Sequence, residues 1–463
     1  MLQLNDTPLA GARAHLDRLA IVGSNAPCWT WRQIHSAAVV LAARLDGVSA
    51  VCNLCDSRAG FLVTWLAALR RGCVQVLPPS GGPTEMAAML QSIGGALVVA
   101  DDAAAILPTL KERAQCALLD LGALMLGGAP DADLRWSPPW DAPLVRLYTS
   151  GSTGAPEPQV RSLGQLALGA GALGHRVEEE VDGGLAALRW IVCSVPSQHM
   201  FGVEASVMLS LVHAIPVLDG MPLLPGDVHS ALEARAEGAV WVATPLHLRA
   251  LVRSEEAAPN CRAVIVSTMS LAPALAAQAE ARIGAPVLEI YGSTETGAVA
   301  MRRPAREVRW RALKGVRLES TALGTTVWGT HFDSPQHLAD RTEIDADGGF
   351  MLLGRQGDLI KIGGRRASLA GLNLLLQDAP GLDDAVFYLP ASEAPVERLV
   401  LIHAGAALDR ALIEAWLRER VDPVFIPRTI IRVARLPRTA NGKLPRAALD
   451  ELYANWVAAK AAR

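Results

Sequence analysis

Residues 144–156 read LVRLYTSGSTGAP, a short apolar run that ends in a loop of hydroxyl and glycine residues. Glycine lets backbone N–H groups approach an anion closely, and serine and threonine hydroxyls donate further hydrogen bonds. The loop is therefore a candidate polyphosphate site, although a turn of this composition can also be an ordinary surface loop. It does not match the GxxxxGK[ST] pattern of a Walker loop. The residues concerned are Thr149, Ser150, Gly151, Ser152, Thr153 and Gly154.

The surrounding chain alternates short apolar runs with Ala- and Leu-rich helical patterns as far as residue 293. Such alternation predicts parallel sheets covered by helices. Helical patterns nearer the N-terminus continue it less regularly. The apolar runs cover 144–148, 190–195, 240–243, 263–266 and 287–291, and the helical patterns cover 31–45, 59–71, 203–214, 246–253 and 271–282.

The pattern changes after residue 350. Residues 349–367 read GFMLLGRQGDLIKIGGRRA, which is typical of a glycine-punctuated hairpin, and the glycines at 354–364 suit a hinge. The predicted fold class is α/β, with a large N-terminal core of helix-covered sheets over 1–354 and a small α+β C-terminal unit over 355–463. The elements predicted in that unit are helices at 370–377 and 408–418 and strands at 384–389, 398–403 and 429–434.

The composition limits the class of protein. The chain has 463 residues, a formal net charge of −3, 51% hydrophobic residues and 19% charged residues. It can bury a large core, so it does not resemble a disordered or nucleic-acid-coating polymer. It contains no long uninterrupted apolar run and no basic leader before an apolar stretch, which predicts no membrane span and no signal peptide. The cysteines are scattered and odd in number, as in a reducing compartment, so we expect a soluble, cytoplasmic protein.

A second hydroxyl-rich loop follows a later apolar run. Residues 289–297 read EIYGSTETG. The Glu295 carboxylate can hold Mg²⁺ while neighbouring hydroxyls face phosphate, and the ring of Tyr291 offers a flat surface for a base. Ligands usually bind at strand ends of an open α/β sheet, so two such loops after two different strands predict a nucleotide site.

Two further segments combine glycine with a basic residue, GRQGDLIKIGGR at 354–365 and LPRTANGKLPR at 436–446. Only five of the 43 lysine and arginine residues are lysines, so Lys443 on its glycine-containing turn stands out. A mobile loop can carry such a charge to a developing negative centre, although a lone lysine in a turn is normally just solvated. A third segment, GAGALG at 169–174, fits GxGxxG but lies in a helical pattern with no strand before it, which indicates close packing rather than a dinucleotide site.

In this order and spacing, the four segments at 147–156, 289–297, 354–365 and 436–446 resemble the core signatures of the AMP-forming acyl- and aryl-acid ligases. That superfamily includes acyl-CoA synthetases, stand-alone adenylation domains and luciferases. The resemblance implies a mobile C-terminal lid that rotates between two half-reactions. In the first, a carboxylate attacks the α-phosphate of ATP and gives an acyl-adenylate and pyrophosphate. In the second, a thiol takes the acyl group and AMP leaves.

The resemblance also implies a role for each motif residue. The 149–154 loop would hold the β- and γ-phosphates of ATP, and Lys443 would bridge the carboxylate and the α-phosphate in the adenylation transition state. Glu295 would bind Mg²⁺ and Thr294 would contact the α-phosphate. The other nucleotide-binding positions would be Tyr291 on adenine, Gly292 and Ser293 beside it, and Asp340 and Arg355 at the ribose.

Two positions depart from the family pattern. The phosphate loop of the family usually continues with Pro-Lys, whereas Pro156 is followed here by Glu157. The usually acidic hinge position is Gly357, with Asp358 one step later. The first departure removes a cation near the triphosphate, and the second bears on how the lid turns.

Residues 195–202 read VPSQHMFG and resemble the family segment that places a histidine and an aromatic residue at the acid pocket. Amino-acid activators carry an aspartate there for the substrate's ammonium group, and its absence from 199–202 favours a neutral acyl or aryl acid. The finer resemblance is to ligases of aryl-polyene and xanthomonadin-type pigments, which load a hydroxybenzoate or similar acid onto an acyl carrier protein. The pocket candidates are His199, Phe201 and Gly202, with Glu204, Ser267, Thr268 and Met269 as weaker ones.

Two other interpretations stay open. One is an acyl-CoA synthetase that uses free coenzyme A on an aliphatic or aryl acid, and the other is a non-catalytic nucleotide-binding relative. Residues 302–317 carry seven basic side chains against Glu307 alone. This basic stretch could steer an acidic carrier protein or the phosphates of coenzyme A, or it could be an ordinary solvated face.

Overall fold

Two large β-sheets organise the chain up to Arg355, and smaller sheets accompany them. The computed structural model describes residues 4–23, 27–78, 86, 89–91, 93, 96–102, 118–120, 134–150, 156–235, 238–321, 324–355, 359–362, 365–390, 398–439 and 444–461. The strands are β1 (Leu19–Val22), β2 (Trp29–Thr30), β3 (Ala50–Asn53), β4 (Val74–Leu77), β5 (Leu97–Ala100), β6 (Leu118–Asp120), β7 (Val145–Ser150), β8 (Pro156–Arg161), β9 (Trp190–Cys193), β10 (Val217–Leu218), β11 (Ala239–Ala243), β12 (Cys261–Val266), β13 (Val287–Ser293), β14 (Gly297–Arg302), β15 (Trp310–Ala312), β16 (Val316–Thr321), β17 (Gly324–Gly329), β18 (Gln336–Leu338), β19 (Asp340–Ile344), β20 (Gly349–Arg355), β21 (Leu359–Ile362), β22 (Arg365–Ser368), β23 (Asp384–Tyr388), β24 (Val400–Ala404) and β25 (Thr429–Val433).

The larger sheet has the strand order β19-β20-β15-β14-β13-β12-β11-β9-β10-β1-β2. Its centre, from β10 to β13, is parallel. Strands β9 and β11 are buried along their whole length, as expected for a sheet covered on both faces. The predicted helix-covered parallel sheet is therefore confirmed. Beyond β13 the sheet continues through antiparallel strands β14, β15, β20 and β19, which the apolar runs do not predict.

The six-stranded sheet has the order β6-β5-β3-β4-β7-β8. It is parallel except for the hairpin formed by β7 and β8, in which Ser150 pairs with Pro156. The first hydroxyl-rich loop thus connects these two strands at one end of the sheet. Small strands β16, β17 and β18 form a separate antiparallel sheet.

Helices cover both large sheets. The longest begins after Ser162, whose hydroxyl accepts from the Gln165 N–H at 3.2 Å while the Gln165 side chain accepts from the Ser162 N–H at 2.9 Å. The helices are α1 (Trp31–Arg44), α2 (Arg58–Arg71), α3 (Leu163–Glu180), α4 (Met200–Gly202), α5 (Leu209–His213), α6 (Pro225–Glu233), α7 (Pro245–Arg253), α8 (Pro273–Ile283), α9 (Leu369–Leu375), α10 (Arg410–Arg418) and α11 (Arg446–Ala461), and a π-helical segment (Val203–Met208) joins α4 to α5. None of those described is long and apolar enough to cross a membrane.

The GxGxxG segment lies inside α3, where its glycines allow close packing. A Cβ at Gly174 would lie 2.3 Å from Nε2 of His213, and a Cβ at Gly169 would lie 2.7 Å from Oε1 of Glu204. A side chain at either position would collide with these neighbours. The packing interpretation is confirmed.

The C-terminal segment builds its own small sheet and hydrophobic clusters. Strands β23 and β24 are antiparallel, β24 and β25 are parallel, and β21 pairs with β22 in a hairpin. A buried cluster that includes Leu372, Phe387, Leu401 and Ile413 is separate from the clusters of the large sheets. Helix α11 is an element that the sequence patterns did not identify. The domain boundary at 354 and 355 stays a prediction.

Candidate active site

The second hydroxyl-rich loop is a tight turn between β13 and β14. Ser293 N–H donates to Oγ1 of Thr296 at 3.1 Å, and Thr296 N–H donates back to Oγ of Ser293 at 3.3 Å. A Cβ at Gly292 would lie 2.1 Å from the Gly297 carbonyl oxygen, and Gly297 has a φ of +69°. Both glycines are therefore needed to close the turn, which leaves Thr294 and Glu295 half-buried at its tip.

The ring of Tyr291 belongs to an aromatic cluster at the foot of this turn. Its centroid lies 5.6 Å from that of Trp310 and 6.0 Å from that of Phe350, and both partner rings are tilted relative to it. A ring held in this way can offer a fixed flat surface to a base. The sequence motifs did not identify Trp310 or Phe350, because they lie on later antiparallel strands.

Asp340 and Arg355 lie directly opposite each other on the adjacent strands β19 and β20. The fold therefore brings together the two positions predicted to bind the ribose, although they are separated by the hairpin between them in sequence. The side chain of Arg355 lies outside the described residues.

Polar side chains also end strand β12. Oγ of Ser267 donates to the Ile290 carbonyl at 3.2 Å, which ties this strand end to β13. Thr268 has a φ of +80°, a strained conformation for a β-branched residue. Its buried hydroxyl has no hydrogen-bond partner within the described part of the chain, and such atoms are rare in folded proteins. A polar ligand at this strand end would satisfy it.

A cavity of about 340 Å³ separates this strand end from the C-terminal segment. Its lining includes Met269 and Arg249 from the core and Tyr388, Arg438 and Leu444 from the C-terminal segment. Arg438 and Leu444 lie on either side of residues 440–443 in sequence. Lys443 itself lies outside the described residues, so its predicted role is not tested.

The same limit applies to most of the first hydroxyl-rich loop. The backbone of Thr149 and Ser150 ends β7, but their side chains are not described, and Gly151, Ser152, Thr153 and Gly154 lie outside the described residues. Their phosphate-binding role stays a prediction.

The predicted acid-pocket segment is anchored by a buried arginine that the motifs did not identify. Arg58 donates to the carbonyl oxygens of Cys193 at 2.9 Å and Val195 at 3.0 Å. Nδ1 of His199 accepts from the Phe201 N–H at 3.3 Å and so caps the helix that follows. Phe201 and Gly202 are buried at the start of that helix.

Glu204 lies beneath the 293–297 turn and not in an open pocket, because its side chain is buried against the turn. Its Oε2 accepts from the Ala298 N–H at 2.9 Å. Burial raises the pKa of Glu204 to about 7, although Arg161 and the Ala298 N–H act in the opposite direction. Its proposed place among the acid-pocket side chains is therefore withdrawn.

This raised pKa predicts a pH-dependent stability. Between pH 4.5 and about 7, unfolded chains release the Glu204 proton while the folded protein retains it, so this group makes folding less favourable as pH rises. Glu204→Gln removes the titration. We expect the free energy of unfolding of the variant, relative to the wild type, to rise by about 3 kcal/mol between pH 4.5 and 8. Chemical denaturation at both pH values measures it, and a difference that does not change with pH contradicts the prediction.

The basic stretch at 302–317 is partly paired within the fold. Arg303 pairs with Glu280 at 2.6 Å, and Arg317 lies over the ring of Trp328 at 4.1 Å. The other pairs are Arg302 with Glu289, Arg309 with Asp345, and Arg311 with Glu307. Five of its basic side chains thus have partners in the chain, which favours an ordinary surface over a steering patch.

The donor set fits a magnesium ion that is held mainly by nucleotide. Among the described residues, no group of three His, Cys, Asp or Glu side chains could hold a metal ion by itself. Magnesium is usually bound through one or two carboxylates together with substrate phosphates. The single half-buried carboxylate of Glu295, at the tip of a hydroxyl-rich turn, fits that pattern.

Comparisons with known proteins agree with this architecture. Residues 10–329 match the family described as AMP-binding enzyme. A similar relative is the 4-coumarate–CoA ligase of Cereibacter sphaeroides, 27% identical over 303 residues, which are 64% of this chain and 69% of the relative.

Two solved structures share the fold over nearly the whole chain. One is the o-succinylbenzoate CoA synthetase of Bacillus subtilis in complex with its acyl-adenylate intermediate, with a TM-score of 0.82, 18% identity, and coverage of 97% of this chain and 98% of the other. The second is ATP-bound MatB of Rhodopseudomonas palustris, with a TM-score of 0.81, 20% identity, and coverage of 98% and 99%. The family match over most of the chain leads to one conclusion. This protein belongs to the AMP-binding enzyme family and is an AMP-forming acid–thiol ligase.

Proposed function

We propose that this chain uses ATP and Mg²⁺ to activate an aryl acid of the hydroxybenzoate type and then transfers the acyl group to the phosphopantetheine thiol of an acyl carrier protein. One observation carries the activation step. The tight turn at 291–297 places Tyr291, Thr294 and Glu295 at a strand end of the large sheet, as a nucleotide site requires.

The nucleotide would be held by residues that the fold brings to this edge. Tyr291 supports adenine from its aromatic cluster, and the facing strand positions of Asp340 and Arg355 receive the ribose. The 149–154 loop holds the terminal phosphates. Glu295 is the protein ligand of Mg²⁺, which when bound supplies positive charge that offsets the charge of the phosphates.

In the first half-reaction, a carboxylate oxygen attacks the α-phosphorus, a new P–O bond forms, and the bond to pyrophosphate breaks. Both reactants are anions, and negative charge builds on the α-phosphate as they join. A cation placed there stabilises the transition state more than the ground state. Lys443 provides this cation from the segment 355–463, which we propose is a mobile lid. In the second half-reaction, a thiolate attacks the acyl carbonyl and AMP leaves.

The environment of the predicted pocket supports an acyl or aryl acid substrate that carries no ammonium group. Glu204 is the first carboxylate after residues 199–202, and it is already engaged by the Ala298 N–H. It is also buried, which makes it a poor partner for a substrate ammonium group. The remaining pocket candidates, His199, Phe201, Ser267 and Met269, carry no negative charge at neutral pH.

Two thiols are candidates for the acceptor of the acyl group, that of a carrier protein and that of coenzyme A. The pigment-type sequence resemblance supports a carrier protein, whereas two of the similar proteins named above are a CoA ligase and a CoA synthetase. The partly paired stretch at 302–317 does not distinguish them. Coenzyme A is therefore the second candidate acceptor.

An acid panel tests both steps. Purified protein with ATP, Mg²⁺ and labelled pyrophosphate should show acid-dependent ATP–pyrophosphate exchange, with hydroxybenzoates preferred over aliphatic acids by about tenfold or more in kcat/KM. Thioester formation is then followed with coenzyme A and with phosphopantetheinylated carrier protein in separate reactions. A higher rate with coenzyme A would reverse the choice of acceptor. Absence of exchange with every acid would favour the non-catalytic alternative.

A further inference from the structure

Three buried polar side chains from distant parts of the chain converge on the backbone that follows Glu295. Arg161 comes from the end of β8, Glu204 from the π-helical segment after α4, and His331 from the loop after β17. All of their hydrogen bonds to this turn end on backbone atoms of Glu295 or Ala298. The turn that carries the proposed magnesium ligand is therefore held from beneath at its tip and at its C-terminal end.

Arg161 makes the contact nearest to Glu295. Its residue is 3% exposed, and its Nη1 donates to the Glu295 carbonyl oxygen at 2.7 Å. Its Nη2 donates to the His331 carbonyl oxygen, also at 2.7 Å. A buried guanidinium is costly unless it is hydrogen-bonded and near opposite charge. The two terminal nitrogens of Arg161 are hydrogen-bonded, and Glu204, Asp333 and Glu295 attract its charge.

Glu204 and His331 hold the other side of the turn through one residue. Oε2 of Glu204 accepts from the Ala298 N–H at 2.9 Å, and Nε2 of His331 contacts the Ala298 carbonyl oxygen at 3.0 Å. Burial lowers the pKa of His331 to about 4, so the ring is neutral and Nε2 donates to that carbonyl. Oε1 of Glu204 lies so close to Gly297 that a Cβ there would be only 3.0 Å away.

These contacts restrict the backbone that directly follows the Glu295 side chain, and the Ser293–Thr296 hydrogen bonds restrict the turn itself. The direction of a side chain follows from its own backbone torsions, and groups that orient a metal ligand commonly affect metal affinity by 10–100-fold. The two terminal nitrogens of Arg161 are both used by carbonyl oxygens. Arg161 therefore acts through the turn and does not replace the phosphate-loop cation that is missing at Glu157.

We propose that Arg161 is a positioning residue, which together with its neighbour Glu204 holds the 293–297 turn so that the Glu295 carboxylate meets the magnesium ion of MgATP. This inference rests on the proposed nucleotide site. It assigns a role in the metal-dependent part of nucleotide binding to a residue that none of the motifs contains.

The test compares calorimetric binding of MgATP with binding of ATP in EDTA, without acid, so that no turnover occurs. Arg161→Lys retains the buried charge but cannot reach both carbonyl oxygens. We expect it to weaken MgATP binding by about tenfold while metal-free ATP binding changes by less than about twofold. Arg176→Lys is the matched control, because Arg176 is also a buried arginine but pairs with Glu179 and Glu180 on α3. It should leave both affinities unchanged.

A second variant keeps the test informative if Arg161→Lys fails to fold. The double substitution Arg161→Gln with Glu204→Gln replaces both buried ionisable side chains with amides, and it should lose the same magnesium-dependent part of the affinity. Unchanged MgATP binding in a folded Arg161→Lys protein would overturn the proposal. So would an equal loss of MgATP and metal-free ATP binding, or failure of both variants to fold, because either result indicates a purely structural role. Acid-dependent exchange by the wild type is measured in parallel. If it is absent while wild-type MgATP binding persists, the ligase proposal fails and the positioning role still stands.

Discussion

Replacing Lys443 with alanine should lower kcat/KM for acid-dependent ATP–pyrophosphate exchange by roughly 10²–10³-fold, the usual loss when one group that stabilises transition-state charge is removed. The ammonium group is proposed to sit between two anions only while they react. Its removal should therefore affect kcat more than the affinity for either substrate. Steady-state exchange kinetics with the preferred acid from the panel measure this split.

The second half-reaction provides an internal control for Lys443. Supplied with preformed acyl-adenylate, the variant should form the thioester at close to the wild-type rate, because no bond to the α-phosphate of ATP is then being made. Lys314→Ala, at an exposed position in the turn before β16, is the matched lysine control and should leave both half-reactions intact. Equal losses in both half-reactions would contradict the assigned role, as would exchange activity that survives the substitution.

The parallel part of the fold is readable from the sequence because its strands are short apolar runs between helical patterns. Strand β11 is buried at every position, and the run at 240–243 predicts it to within one residue. Strand β16 shows the opposite case. Its residues Val316–Thr321 are exposed or half-buried throughout, so they form no apolar run. Antiparallel strands with exposed faces gave no signal of this kind.

The C-terminal helix was missed for a different physical reason. Residues Arg446–Ala461 are mostly exposed or half-buried, with only Leu449 counted in a buried cluster. A helix that buries so little has no strong apolar stripe to identify it. Its contacts include aromatic ones, with the ring of Tyr453 near those of Tyr388 and Trp456.

The candidate site likewise contains residues that the sequence identifies and residues that it does not. The sequence motifs identified residues that are close together in the chain, such as those of the 291–297 turn. They could not identify Arg161, which contacts Glu295 from 134 positions away, because a single sequence contains no direct record of such distant contacts. The basic stretch at 302–317 shows the same limit of a single sequence. Its charges look unpaired in sequence, but the fold supplies partners such as Glu280 and Glu289 from earlier elements.

Glu295→Gln should lower exchange activity by roughly 10²-fold at a fixed magnesium concentration, because the amide retains the shape of the side chain but removes the charge that holds the metal. Raising the magnesium concentration should recover part of the loss, since the nucleotide phosphates still bind the ion. Exchange rates measured over a magnesium titration test both statements. Glu319→Gln, at an exposed position on β16, is the matched control and should follow the wild-type curve.

Combining Glu295→Gln with Arg161→Lys tests whether Arg161 acts through the Glu295 carboxylate or merely stabilises the turn. If Arg161 acts by orienting the Glu295 carboxylate, then little remains for it to orient once the charge is gone. The double variant should therefore bind MgATP only slightly more weakly than Glu295→Gln alone, so that the two losses are far from additive. Fully additive losses would mean that Arg161 and Glu295 act independently. A magnesium titration of Glu295→Gln identical to that of the wild type would remove Glu295 from the metal site altogether.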